Sequence, residues 1–240
     1  MFTVKNSALY LMSLLKKIKR KWAKIRLQPI QVFCLHHVCA EYDAESMNPS
    51  DWMEIDEFRS KVVAMQKDGV EFISLLEAYS HISKDWFRGR KYVVITFDDG
   101  YASLKEILPW LEDKHVPATL FINGKYLDGA SYRKTPKEQY LTQNELFSLT
   151  SSFIEIGSHG WEHTDASKMT EVDFAESIDK NVAVLSAHPR YVPFHAYTWG
   201  RHTDASDKVL TNNNIIPVLI DGIKNFNDRL FIHREVISEY

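Results

Sequence analysis

Two adjacent carboxylates follow a run of apolar, strand-forming residues. Asp98 and Asp99 come directly after YVVITF at 92–97, and Gly100 then lets the backbone turn sharply. Burying an unpaired charge is costly, so the pair is not explained as part of a hydrophobic core. An acidic turn that caps the next helix is the alternative, although one aspartate would suffice for a cap. The pair therefore indicates a chemical site at the end of a strand.

Two histidines four residues apart follow a second strand-like run. His159 and His163 lie in the string GSHGWEH, which begins at the end of the run 153–157. On one helical turn this spacing brings both imidazoles to the same side. Two histidines and one carboxylate are a common catalytic zinc set that leaves one position open for water. Histidines at this spacing also occur by chance, so the motif gains its weight from the neighbouring pair of aspartates.

A third polar pair, His36 and His37, closes the first strand-like run of the chain. Because side chains alternate along a strand, one of the two points into a site while the other points away. We interpret His37 as a hydrogen-bonded structural histidine. His36 is then the candidate for contacts with a substrate.

The segments that position these motifs alternate between strand and helix patterns. This order predicts parallel strands joined by crossover helices, with the chemistry at the C-terminal ends of the strands. A barrel and a doubly wound sheet both fit the length. Strands are predicted at 31–36, 70–74, 92–97, 118–123, 153–157, 194–197, 215–220 and 230–236, and helices at 57–67, 75–83, 102–114, 142–150 and 170–187.

The composition excludes several classes of protein. The 240 residues are 45% apolar and 25% charged, which is ordinary for a globular protein. The two cysteines are too few for a disulfide-stapled secreted scaffold or a cysteine-rich zinc module. Residues 1–26 hold eight of the 29 basic residues and no acid, so residues 27–240 carry a net charge of −11. An acidic body does not suit a nucleic-acid binder, which must neutralise phosphates.

Residues 1–29 are predicted to form a basic amphipathic helix that precedes a catalytic domain at 30–240. Leucines and isoleucines at helical spacing on one face, with lysines on the other, are typical of a helix on an anionic membrane surface. The alternative is a first helix that packs on the domain with its lysines in water. No run of about 18 apolar residues occurs, and the charges do not follow the order of a signal peptide. We therefore expect a cytoplasmic protein, with peripheral contact to the inner membrane through residues 8–27 under the first interpretation.

Three strings resemble one known family. The strings ITFDDGY at 95–101, EIGSHGWEHTD at 155–165 and LHHV at 35–38 are similar to motifs of the polysaccharide deacetylase family, the NodB-homology domain of carbohydrate esterase family 4. The resemblance runs from about residue 31 to residue 236. It implies an α/β fold, a distorted (β/α) barrel with about seven parallel strands. It also implies a divalent metal, most often zinc, and removal of N-acetyl groups from amino sugars.

The resemblance also implies roles for the matching residues. Asp98 matches the catalytic base, and Asp99, His159 and His163 match the metal ligands. The residue types fit this chemistry, since a metal held by one carboxylate and two neutral imidazoles stays cationic and lowers the pKa of bound water. A neighbouring carboxylate can then take the proton of that water. Cobalt, nickel and iron tolerate the same ligand set as zinc.

The third family motif departs from its usual pattern. The family often has an arginine that steadies the base, followed by a tyrosine whose backbone amide binds the oxyanion. This chain reads AYTWG at 196–200, so Ala196 replaces the arginine and Trp199 replaces the tyrosine. A backbone amide survives a change of side chain, but the orientation of the base is left open. Arg201 and His202 are candidates to replace the missing arginine.

Three further residues are assigned by resemblance or by their aromatic character. The string at 230–233 resembles the family's L-x-x-H ending, so His233 is a candidate general acid that protonates the leaving amine. The alternative aligns His233 and Arg234 with a Pro-Arg pair found in some relatives. Trp161 and Trp199 are assigned to substrate binding because they can stack on a sugar ring, with core packing as the alternative.

The leading hypothesis is therefore a metal-dependent hydrolase acting on an N-acetylated sugar in a cell-surface polysaccharide or its precursor. One alternative is a carbohydrate-binding module that retains the metal but has lost turnover, which the altered third motif motivates. Another is a deacetylase of an O-acetyl ester, because the same attack by water serves both bonds.

Overall fold

A computed structural model describes residues 29–44, 47–84, 89–128, 139–221 and 231–237. The predicted N-terminal helix at 1–29 lies outside the described residues apart from Pro29, so the helix and its membrane contact stay predictions. Within the described segments, no helix is both long enough and apolar enough to cross a bilayer.

Seven parallel strands form a closed barrel. The strands are β1 (Ile30–Leu35), β2 (His37–Cys39), β3 (Trp52–Glu54), β4 (Val70–Phe72), β5 (Lys91–Phe97), β6 (Ala118–Ile122), β7 (Ile154–Ser158), β8 (Tyr191–Ala196), β9 (Ile216–Ile220) and β10 (Ile232–Val236). Around the ring the order is β1, β10, β9, β8, β7, β6 and β5, and β5 pairs back onto β1. This arrangement confirms the predicted distorted (β/α) barrel and excludes the open, doubly wound sheet.

The other strands lie outside the ring. β4 pairs with the first residues of β5, on the same edge that β6 occupies further along. β2 and β3 form a separate two-stranded parallel sheet. This small sheet is absent from the predicted elements because each of its strands has only three residues.

Six α-helices accompany the strands in the described segments. They are α1 (Ile55–Lys67), α2 (Leu75–Lys84), α3 (Leu108–Asp113), α4 (Gln143–Ser148), α5 (Glu171–Leu185) and α6 (Asp204–Asn212). The predicted capping box is present at α4, where Thr142 accepts from the backbone of Glu145 and the Glu145 side chain accepts from Thr142. Helix α6 was not among the predicted elements. Its capping box uses Thr203 and Ser206 instead of an acidic third residue, so the usual sequence signal is missing.

The predicted helix at 102–114 is split in two. Residues 102–106 form a 3-10 helix, and α3 begins at Leu108 with Pro109 in its first turn. Proline has no backbone N–H and clashes with the preceding turn, so it is tolerated at the start of a helix and not in its interior. The single predicted helix was therefore wrong at the position of its proline.

Alternation along the strands decides which side chains enter the barrel. Val94 of β5 packs inside with Phe121, Phe194 and Ile232 from the surrounding strands. The next residue, Ile95, belongs instead to the cluster that packs under the helices. By the same alternation, the side chains of residues 96 and 98 face the interior. The candidate catalytic base, Asp98, therefore projects into the barrel above the packed core.

Candidate metal and active site

The carboxyl ends of β5 and β7 bring the three predicted metal ligands together. Asp99 Oδ1 lies 3.3 Å from His159 Nε2 and 3.0 Å from His163 Nε2. All three residues are buried, and one ligand atom from each lies within 4.8 Å of the others. This geometry lets the three side chains contact one common ion.

The two histidines do not lie on a helical turn. The residues from 159 to 165 form a loop, in which Gly160 has φ = +81° and His163 has φ = +54°. Asp99 is also left-handed, at φ = +69°. A left-handed backbone at a residue other than glycine costs about 1–3 kcal/mol and is typical of functional sites. The expected helical turn was wrong, and backbone strain instead turns the second imidazole toward the first.

The backbone fixes the orientation of His159. Its Nδ1 lies 2.7 Å from the carbonyl oxygen of Ala196. A carbonyl only accepts, so Nδ1 carries the proton, and the lone pair of Nε2 points toward Asp99. Metal-binding histidines are commonly oriented in this way by a carbonyl on the other ring nitrogen.

The chemistry of this donor set fits a divalent metal. Asp99 Oδ1 is buried and accepts no hydrogen bond of acceptable geometry within the described part of the chain, although both Nε2 atoms are close. Burial raises the pKa of Asp99, but His159 and His163 outweigh burial and hold that pKa well below its usual value. One ionised carboxylate and two imidazole nitrogens are ligands that zinc accepts. A bound cation would provide Asp99 Oδ1 with the partner that it lacks among the described residues.

The catalytic-base candidate Asp98 is held by an arginine that the sequence-based site did not include. Arg234 donates from Nη1 to Asp98 Oδ1 at 2.6 Å and from Nη2 to Asp98 Oδ2 at 2.9 Å. The Arg234 side chain is fully buried, and it also contacts Thr96 Oγ1 at 3.1 Å. Arg234 of β10, close to the C-terminal end of the sequence, therefore replaces the arginine that is missing at position 196.

The two candidates for that replacement contact other carboxylates. Arg201 donates to Asp165 at 2.8 Å, and His202 Nδ1 lies 2.9 Å from Asp207. The signal that pointed to Arg234 was the alternative alignment of residues 233–234 with the family's Pro-Arg pair.

The surroundings of Asp98 keep it ionised. Burial raises its pKa, but the Arg234 guanidinium and the His159 imidazole outweigh burial and lower the pKa from 3.8 to about 2. Asp98 Oδ2 also accepts from Cys34 Sγ at 3.4 Å and lies 3.8 Å from His159 Nε2. Asp98 is therefore a carboxylate at neutral pH, beside the metal-ligand cluster.

His233 points away from this site. It is the neighbour of Arg234 on β10, and successive strand residues face opposite sides. In register, His233 pairs with Leu219, which packs with α5 and α6 outside the barrel. Its Nδ1 lies 2.9 Å from Asp221 Oδ2. The strand geometry thus does not bring His233 to the metal-ligand cluster, and it does not support the predicted role as general acid.

The three predicted substrate-binding residues lie in different surroundings. Trp199 is 57% exposed, and its ring meets that of His163 edge-on at 4.9 Å. His36 is half-buried and close enough to Asp98 to lower its pKa. The Trp161 ring packs against Gly124, because a Cβ added to that glycine would lie 2.9 Å from the ring. The substrate role fits Trp199 best, while that of Trp161 stays a prediction.

A buried asparagine on α5 supports the loop that carries both histidines. Asn181 donates to the carbonyl of Ile122 and to Ser158 Oγ, both at 2.9 Å, and accepts from the Gly124 N–H at 2.7 Å. Its side chain is fully buried. These bonds tie the ends of β6 and β7 to the helix behind them.

We expect Asn181→Leu to lower the free energy of unfolding by about 2–4 kcal/mol, because it leaves buried backbone groups unpaired. Urea denaturation measures this loss. Lys180→Ala is the matched control, since Lys180 is exposed and pairs with the exposed Glu176, and it should change stability by less than about 0.5 kcal/mol. A loss of under about 1 kcal/mol for Asn181→Leu would show that the network does not support the loop.

Comparisons with known proteins agree with this architecture. Residues 88–217, more than half of the chain, match the family model described as "Polysaccharide deacetylase". YxkH of Bacillus subtilis (strain 168), which is assigned to the polysaccharide deacetylases, is 26% identical over 154 residues. That alignment covers 63% of this chain and 52% of YxkH, so the chain spans about half the length of this relative.

Two solved structures share the fold over most of the chain. The Streptococcus pyogenes deacetylase PplD, solved in complex with acetate, superposes with a TM-score of 0.75 at 20% identity, over 87% of this chain and 92% of PplD. IcaB from Ammonifex degensii superposes with a TM-score of 0.70 at 19% identity, over 87% of this chain and 93% of IcaB. With the family match over more than half of its length, the chain belongs to the polysaccharide deacetylase family.

Proposed function

We propose that this protein is a metal-dependent deacetylase that removes N-acetyl groups from amino sugars in a cell-surface polysaccharide or its precursor. Family membership supports a hydrolase. The observation that carries the finer proposal is the buried set of Asp99, His159 and His163 beside the ionised Asp98. A further structure of this fold, with a TM-score of 0.70, bears the name de-N-acetylase, from Aggregatibacter actinomycetemcomitans.

Asp99, His159 and His163 would hold the metal, with zinc as the ion that suits these ligands best. When bound, such an ion supplies a positive charge that polarises a carbonyl oxygen and acidifies water. The protein prepares this place by keeping Asp99 ionised and by fixing the tautomer of His159 through Ala196.

The base is prepared by the barrel core. Asp98 accepts the proton of the attacking water at Oδ2, the oxygen that lies on the side of His159. Arg234 binds both oxygens of Asp98, so the carboxylate keeps one orientation and stays ionised before the reaction. This contact favours an enzyme over a module that only binds carbohydrate, because a metal-binding module has no need of an oriented base.

Trp199 forms an exposed wall next to His163, where it can stack on a sugar ring. We expect Trp199→Ala to raise KM for an N-acetylated oligosaccharide about 3- to 10-fold with little change in kcat, since stacking contributes about 0.5–1.5 kcal/mol. Val172→Ala removes an apolar side chain that is 75% exposed on α5 and is the control with unchanged KM. A fall in kcat at unchanged KM would assign Trp199 to the reaction itself.

The function is tested by measuring acetate and free amine together. The purified protein with one equivalent of zinc is incubated with N-acetylglucosamine oligomers and, separately, with O-acetylated oligosaccharides. We expect equal amounts of acetate and amine from the N-acetylated substrate, loss of both after chelation, and recovery when zinc is returned. Release only from the O-acetylated substrate would establish the ester alternative, and release that survives chelation would contradict the proposal.

A further inference from the structure

A second cluster of possible metal ligands lies beside the first. Cys34, His36 and Asp98 each present one ligand atom, and these atoms lie within 4.8 Å of one another. We propose that these residues form an inhibitory site for a second, thiophilic divalent cation such as Zn²⁺, Cd²⁺ or Co²⁺. Its effect on activity rests on the proposed function, because a cation there would bind Asp98 and prevent it from acting as the catalytic base. The binding itself does not depend on that function.

The spacing of sulfur and oxygen matches a bridging cation. Cys34 Sγ and Asp98 Oδ2 are 3.4 Å apart. A tetrahedral zinc ion with Zn–S of about 2.3 Å and Zn–O of about 2.0 Å holds its two ligands about 3.5 Å apart. The cation would thus take the place of the thiol hydrogen with almost no movement of either residue. His36 is half-buried at the end of β1, so its ring can turn to supply the third ligand.

Two members of the cluster border a surface cavity. Cys34 is fully buried and His36 is half-buried, and both line this cavity together with Trp52 and Val236. Binding forms a metal–sulfur and a metal–oxygen bond and releases the thiol proton to solvent, with no change of oxidation state. Arg234 donates to both oxygens of Asp98 and adds a positive charge next to the proposed site. We therefore expect weaker binding here than at the first site, so inhibition should begin only above one equivalent of metal.

Cobalt titration distinguishes the two sites directly. The ligands of the first site contain no sulfur, so a thiolate-to-cobalt charge-transfer absorption in the near ultraviolet reports on cobalt bound to a cysteine outside that site. We expect no such band with the first equivalent of Co²⁺, and a growing band as further Co²⁺ is added. Deacetylase activity should fall in parallel with the band. Absence of the band at tenfold excess of Co²⁺ would overturn the proposal.

Matched variants complete the test. Cys34→Ser should abolish the band, whereas Cys39→Ser should keep it, because Cys39 is equally buried but contacts the carbonyl of Glu41. A band that persists in Cys34→Ser, or disappears in Cys39→Ser, would refute the site. If Cys34→Ser does not fold, His36→Gln decides, with a band midpoint at least fivefold higher in Co²⁺ expected and an unchanged midpoint counting against the site. A band without any deacetylase activity would support the site while contradicting the proposed function.

Discussion

Replacing Asp98 by asparagine is expected to lower kcat by about 10²–10⁴-fold, the usual contribution of a general base, while the bound metal is retained. An amide cannot accept the proton of the attacking water, yet it keeps nearly the same shape as the carboxylate. The candidate metal ligands Asp99, His159 and His163 are not altered by this substitution and keep their contacts with one another. Acetate release at saturating substrate, measured with metal content in the same preparation, checks the prediction.

Asp207→Asn is a matched control for this prediction. Asp207 contacts Tyr197 and His202 on the outer side of the barrel, so kcat should change by less than about threefold, as for a substitution outside the site. Full activity of Asp98→Asn with metal bound would show that another group takes the proton. Loss of the metal in that variant would mean that Asp98 is a ligand.

Arg234→Gln is expected to have the second large effect, on stability as well as on activity. Removing one partner of a buried ion pair leaves the other charge without compensation and costs about 3–5 kcal/mol. The pair here is bidentate, and both residues are buried. We expect this loss in urea denaturation at pH 7, together with a fall in kcat, because the base loses its orientation.

The pH dependence of stability gives this prediction a distinctive sign. In the wild type the pKa of Asp98 is lowered from 3.8 to about 2, so the ion pair stabilises the fold above about pH 4 and this contribution is lost as the pH falls toward 2. Without Arg234, burial is opposed only by the weaker effect of the imidazoles, so the pKa of Asp98 rises. Protonation of Asp98 at acid pH then removes the uncompensated buried charge from the variant. The stability difference between wild type and Arg234→Gln should therefore be largest near pH 7 and shrink by about 2 kcal/mol or more toward pH 3.

Arg90→Gln is the control for the loss of an arginine. Arg90 and its partner Glu71 are both exposed, so its removal should cost less than about 1 kcal/mol. Arg234→Lys should recover part of the stability, since lysine supplies the charge but not the two parallel donors. A stability difference that does not depend on pH would contradict the assigned role of Arg234.

Much of the site could be predicted from the sequence because its residues are adjacent to strands that are easy to recognise. Asp98, Asp99 and His159 follow apolar runs, and parallel strands place their carboxyl ends on one face. Arg234 was harder to predict, because its contact with Asp98 spans 136 positions and depends on closure of the barrel and on the register of β10. No local pattern contains that information.

The case of His233 shows how one residue of register decides a role. Neighbouring strand positions face opposite sides, so assigning the string to L-x-x-H or to Pro-Arg determines whether residue 233 or residue 234 enters the barrel. The sequence left both alignments open, and the structure places Arg234 inside. The loop of His163 was missed for a different reason, since helical spacing was assumed where left-handed residues turn the chain.

Metal content of the purified chain, together with zinc affinity measured by competition, tests whether Asp99, His159 and His163 hold one divalent cation. We expect one ion per chain at stoichiometric zinc, and a loss of at least about 100-fold in affinity for His163→Ala, which removes a ligand. The control His202→Ala removes a histidine bonded to Asp207 instead and should bind zinc like the wild type. Equal zinc affinity of His163→Ala and the wild type would show that these three residues do not form the metal site.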